Sequence, residues 1–203
     1  MSLRVRMAEK FSSLRSLRTI LVHVAVVAVF GVFLPGWLGF QFLDPVTIAA
    51  YSCLGVLFAA PAAAQAFADD RPQIFSDAVK RIVSAALYGE AMAIVILIAG
   101  FMTMFFTRSR ALIVVDFPSL GQAISLGLAG SLAMAAIAGL LGLALSKGAS
   151  RMALRIIFLG LLLLFLFRSR WLPDVEVVGT LVCLGIAAAA LATLRVMIPP
   201  RNL

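Results

Sequence analysis

Glu90 is a carboxylate in a stretch where carboxylates are costly. It lies about nine residues into an apolar run from Ile82 to Phe106, roughly 13 Å along a helix. An ionisable group at that depth in a membrane span is by default a candidate functional site. The sole histidine, His23, falls in another apolar run and in the same half of the membrane. Paired, Glu90 and His23 would make a proton-sensitive couple of the kind that supports coupled transport. The plainer reading is a neutral Glu90 bonded to a neighbouring backbone group or hydroxyl. Both stand at the level of sequence.

Four arginines form a second candidate group. Arg108 and Arg110, with Arg168 and Arg170, repeat an Arg-Ser-Arg pattern beside Asp116, Asp174 and Glu176. One reading is an outer vestibule for an anionic substrate. The other is a charged rim, in which the arginines pair with those acids and with lipid phosphates.

Soluble catalytic chemistry finds little support. There is no GxSxG, HExxH or P-loop, and no carboxylate pair flanks a pocket, so the sequence reads as a non-enzyme. The two cysteines, Cys53 and Cys183, fall in different apolar runs with no CxxC motif or Cys/His cluster. They read as small packing residues or as a redox pair, and no metal or other cofactor is expected.

The elements that must position these residues are membrane helices. The chain has 203 residues, of which 63% are hydrophobic and only 13% charged. Its mean hydropathy is +1.10. So few charges cannot cover a soluble domain of this size, but lipid is a suitable solvent for it. The sequence predicts an all-α, polytopic transmembrane helix bundle of about six spans, at 19–34, 45–68, 82–106, 120–145, 156–167 and 175–198. Each is an uninterrupted apolar run with no period-two alternation, which favours helices over a barrel. The fifth is only 12 residues long, roughly 18 Å of helix, and spans with snorkelling arginines or is re-entrant. Together, residues 19–198 form one transmembrane domain, with a short tail at 199–203. The first span is read as uncleaved, since no small-x-small site follows it before the next.

Charge sets the orientation. Arg4, Arg6, Lys10, Arg15, Arg18, Arg71, Lys80, Arg81, Lys147, Arg151, Arg155, Arg195 and Arg201 fall on one side. They are thirteen of the 17 basic residues. The positive-inside rule places that side, with both termini, in the cytoplasm of an inner membrane. The formal net charge of +8 is thus mostly an orientation signal. It favours contact with anionic lipid of the inner leaflet over nucleic acid. Within residues 1–18, Leu3, Met7, Phe11 and Leu14 share a helical face flanked by basic residues. That pattern predicts an interfacial amphipathic helix, the alternative being a disordered basic tail.

Two sequence patterns bear on packing. Asp44, Asp116 and Asp174 are each followed nine positions on by a small residue (Cys53, Ser125, Cys183) and eleven on by a glycine (Gly55, Gly127, Gly185). This is either a threefold hairpin repeat or the ordinary preference for an acid at a helix start. Ala123, Gly127, Ser131, Ala135 and Gly139 make a small-xxx-small ridge. The ridge suits the centre of the bundle or a homo-oligomeric interface. A similar alanine surface surrounds Pro61, where a kink is expected.

The segment from Asp69 to Arg81, with Asp77, Lys80 and Arg81 as its charged end, has the makings of a short helix starting near Pro72. A basic interfacial helix, six spans and this charged segment after span two give a layout that resembles the membrane subunit of an ABC-2-type ABC exporter. The resemblance implies a permease whose charged segment couples to a separate cytoplasmic ATPase subunit. Two other classes stay open. One is a small secondary transporter or channel using Glu90. The other is a non-transporting scaffold or assembly protein.

Overall fold

A computed structural model of the chain describes residues 19–39, 43–107, 117–145, 148–150, 152–158 and 175–198. The expected interfacial helix at 1–18, most of the fifth span and the tail at 199–203 lie outside the described residues. Among the described residues there is no strand, and five helices are long and apolar enough to cross a membrane. In lipid the backbone has no water to bond to, so a spanning segment satisfies its own N–H and C=O groups as helix. The protein is an all-α, multi-pass membrane protein.

The first span, α1 (Thr19–Leu38), runs past its expected end at residue 34. Its middle, Val27–Phe33, is π-helix. A regular turn, Leu34–Leu38, follows without a break and carries Pro35. Gly39 closes the helix with a φ of 58°, a left-handed conformation that favours glycine, and its N–H bonds to the Pro35 carbonyl.

The second span is broken into two helices, α2 (Pro45–Ser52) and α3 (Val56–Asp69), joined by a 3₁₀ turn at Cys53–Gly55. The break comes ahead of Pro61, which sits inside α3. Asp44 precedes α2 in extended conformation with Pro45 at the first helical position, as the sequence suggests. Its side chain makes no capping hydrogen bond.

The third span, α4 (Phe75–Thr107), is 33 residues long, roughly 50 Å at helical rise. The segment expected as a separate short helix is instead continuous with the span from Phe75 onward. Asp77 in the first turn suits the positive end of the helix dipole. The remaining helices are α5 (Phe117–Ala144) and α6 (Val175–Met197).

The described residues form two compact units. One joins α1 to the part of α4 from Val95 onward. The other holds α2, α3, the part of α4 up to Ile94, α5 and α6. In this second unit α5 packs against α2, α3 and α6. Its core is built largely of alanine, with a few large side chains such as Phe67, Ile82 and Leu194 filling the gaps. Small residues let the backbones approach closely, which is how helices associate where lipid tails remove the hydrophobic drive. Phe67 shows the pattern. It is fully buried, and its ring lies where a Cβ on Gly139 would stand 3.1 Å away.

Candidate intramembrane polar site

The site begins with three glycines, one on each of three helical segments. Gly55 ends the 3₁₀ turn, Gly89 lies on α4 and Gly127 on α5. A Cβ added to Gly55 would stand 2.9 Å from the Gly89 carbonyl oxygen and 2.8 Å from the Ser131 hydroxyl. One added to Gly89 would collide with the Gly55 carbonyl and stand 2.7 Å from the Ala59 Cβ. At Gly127 it would meet the Ser52 carbonyl oxygen at 2.6 Å and Glu90 Oε2 at 2.9 Å. Real Cβ contacts are longer than these, so the three backbones touch at a spacing that only glycine permits.

Glu90 sits at this crossing and is 5% exposed. Ser52, just before the 3₁₀ turn, and Ser131, one helical turn beyond Gly127, are fully buried. Neither carboxylate oxygen of Glu90 has a hydrogen-bond partner among the described residues, and neither do the Ser52 and Ser131 hydroxyls. Buried polar groups are nearly always bonded, so four unpartnered oxygen atoms at one helix crossing require a physical account. A dry, unpaired carboxylate is among the costliest groups a protein can hold. Such a cluster of hard oxygen donors offers a place for a proton or a metal cation.

The crossing lies on helices whose sequence favours close approach. Ala123, Ser131 and Ala135 of the α5 ridge are fully buried within the second unit. Gly127 faces Ser52 and Glu90, and Gly139 faces Phe67. Ser52, Gly55 and Gly89 were not singled out as site residues by sequence. The available signals were a glycine directly before Glu90 and the Cys53-Leu54-Gly55 step, which read as an echo of a repeat.

His23 belongs to the first unit and Glu90 to the second. The half-buried His23 ring pairs its Nδ1 with the Thr19 carbonyl oxygen four residues back, at 2.6 Å. Cys53 and Cys183 are not joined in a disulfide. Arg108, Arg110, Asp116, Arg168, Arg170 and Asp174 lie outside the described residues.

Asp77, Lys80 and Arg81 occupy the N-terminal turns of α4. Arg81 forms a brace there. Its guanidinium reaches Asp70 Oδ2 at 2.8 Å and Asp77 Oδ2 at 2.7 Å. It also donates to the carbonyl oxygens of Ala66, at 2.9 Å, and Asp70. The planar fork of arginine suits this multiple role. Lys80 and Arg81 border an open groove of about 360 Å³ with Ala62, Ser84 and Tyr88.

No family model, no curated protein and no solved structure matches this chain.

Proposed function

We propose that the protein is the permease subunit of a membrane transport system, multi-pass in an inner membrane with both termini in the cytoplasm. The observation that carries this reading is Glu90, a buried carboxyl without a bonding partner among the described residues, at the crossing of three helical segments. A scaffold has no use for such a group, because replacing it with an apolar residue would remove its cost. A transporter needs one, because a group that gains and loses a charge partner can report or drive movement between states. The 3₁₀ turn at Cys53–Gly55 supports the same reading, since a mid-span change of helix type often marks a functional hinge.

Energy from a separate ATPase fits the N-terminal end of α4. A helix of roughly 50 Å exceeds a hydrocarbon core of about 30 Å. Its surplus turns carry Asp77, Lys80 and Arg81 beside an open groove. The thirteen basic residues assigned to one side by sequence put this end in the cytoplasm.

Co-purification tests the proposal. Tagged full-length protein drawn from its native membrane should bring down a P-loop ATPase. The double variant Asp77→Lys and Lys80→Glu should lose it. In the intact complex, Glu90→Gln should depress ATP turnover without disturbing assembly. Recovery of the chain without an ATPase, together with no solute flux after reconstitution, would leave the scaffold reading in its place.

A further inference from the structure

We infer that the crossing of α2, α4 and α5 is a binding site for a monovalent metal cation of the sodium type, held by the Glu90 carboxylate, the Ser52 carbonyl and hydroxyl, and the Ser131 hydroxyl. The inference deepens the transport proposal at the same carboxyl, and rests on that reading only for what the ion does once bound.

Oxygen spacing is the first argument. Glu90 Oε2 and the Ser52 carbonyl oxygen lie 2.9 and 2.6 Å from one point, the place a Gly127 Cβ would take. The hydroxyl oxygens of Ser52 and Ser131 and both Glu90 carboxylate oxygens are buried, and no hydrogen bond joins them to one another. Oxygens that bond to each other stand about 2.7 Å apart. Oxygens that share an ion at about 2.4 Å stand farther apart, and converge without bonding among themselves. None of these four oxygens bonds to another or to any other described group, which leaves their lone pairs open to an ion.

Charge and size narrow the ligand. Glu90 supplies one formal charge. α5 contains no ionisable residue at all, while α2 and the 3₁₀ turn bring only Tyr51 and Cys53. Among the described residues no group of three or more His, Cys, Asp or Glu side chains is placed to hold a metal ion. Calcium and magnesium sites draw on several carboxylates or on water, whereas a singly charged ion neutralises one carboxylate and leaves no buried net charge. The backbones touch at Gly55, Gly89 and Gly127, and packing this close disfavours a bulky organic ammonium at the crossing. Oxygen ligands and a charge of one select an alkali cation over a soft metal. The interrupted second span adds a further parallel, since broken helices are where transporters build ion sites.

The test is thermal unfolding of the purified full-length chain in detergent, in sodium chloride and in choline chloride at matched ionic strength, alongside equilibrium binding of radioactive sodium. A ligand that binds only the folded state raises its melting temperature. The expected result is a melting temperature raised by sodium but not by choline, with saturable sodium binding. Glu90→Gln should melt cooperatively, which shows that it is folded, and should lose both effects. Ser52→Ala and Ser131→Ala should weaken sodium binding severalfold. Sodium and choline acting alike on the unaltered chain, with no saturable binding, would overturn the site and leave a protonated carboxyl or a buried water there. Sodium binding that survives Glu90→Gln would overturn it as well. Sodium binding with no ATPase partner and no solute flux would support the site while removing the transport reading.

Discussion

Thr103 donates its hydroxyl to the carbonyl oxygen of Gly31 at 3.0 Å. Gly31 stands four residues before Pro35, the position an α-helical N–H at residue 35 would bond to, and proline has none. The same turn is where α1 runs as π-helix, so helix type and a neighbouring hydroxyl together accommodate a proline inside a span. Close approach makes the bond reachable: a Cβ on Gly31 would stand 2.8 Å from the Ala99 Cβ, one turn before Thr103. Thr103→Val keeps the shape and removes the donor. It should lower stability by about 0.6 kcal/mol, the average for such bonds between membrane helices, while Thr103→Ser should retain most of it. Denaturation in mixed micelles would measure both.

The Arg81 brace gives a second prediction. Exposed ion pairs contribute little, and Asp70 is mostly exposed. The bonds to the Ala66 and Asp70 carbonyls are a different matter, because those carbonyls belong to the end of α3, where helix acceptors lack intrahelical partners. Asp70→Asn should therefore cost at most about 1 kcal/mol and its effect should fade in high salt. Arg81→Ala should cost more, about 1–3 kcal/mol, and should persist in salt, since it strips carbonyl partners as well. Arg81→Lys should not rescue it, as an ammonium cannot span the same four acceptors. Amide exchange at residues 66–70 would show the end of α3 loosening.

These two features differ in how legible they were in the sequence. Hydropathy located the spans because the apolar runs are long, and it marked Glu90 because one carboxylate interrupts such a run. It placed the start of the third span at Ile82, since Arg81 and Lys80 end the apolar stretch. The helix starts at Phe75 all the same, because helical backbone needs compatible residues and an acid near its start, not apolarity. Neither the π stretch nor the 3₁₀ turn leaves a mark in hydropathy. Ser52 and Gly89 could not be singled out from sequence, because serine and glycine are common in spans and their meaning here comes from a crossing with another helix. The repeated Asp-to-Gly spacing points two ways. Gly55 and Gly127 lie at that crossing, while Gly185 has nothing within 4 Å of where its Cβ would stand.

Burial of the α5 ridge bears on its role. Ser131 is fully buried and its hydroxyl stands against Gly55 within the second unit. In Ser131→Cys, the thiol should therefore resist membrane-impermeant maleimide and should form no disulfide-linked dimer under mild oxidation. A dimer band from this variant, absent from a control retaining Cys53 and Cys183 alone, would place a second copy against the ridge.

The glycines offer the sharpest contrast, because one substitution has opposite consequences at two positions that share the same sequence pattern. Gly127→Ala drives a methyl group into the Ser52 carbonyl and Glu90 Oε2. Backbone is the obstacle on one side, so α5 must shift, and overpacking of this kind typically costs about 1–3 kcal/mol. Gly89→Ala meets the Gly55 carbonyl and should behave in the same way. Gly185→Ala meets nothing, and alanine favours helix over glycine by roughly 1 kcal/mol, so this variant should be neutral or more stable. Melting of the three variants in one detergent would decide the matter. If Gly127→Ala were as stable as Gly185→Ala, the close approach of α5 to Ser52 and Glu90 would not exist as described. The oxygen cluster would then lose the constraint that holds its members together.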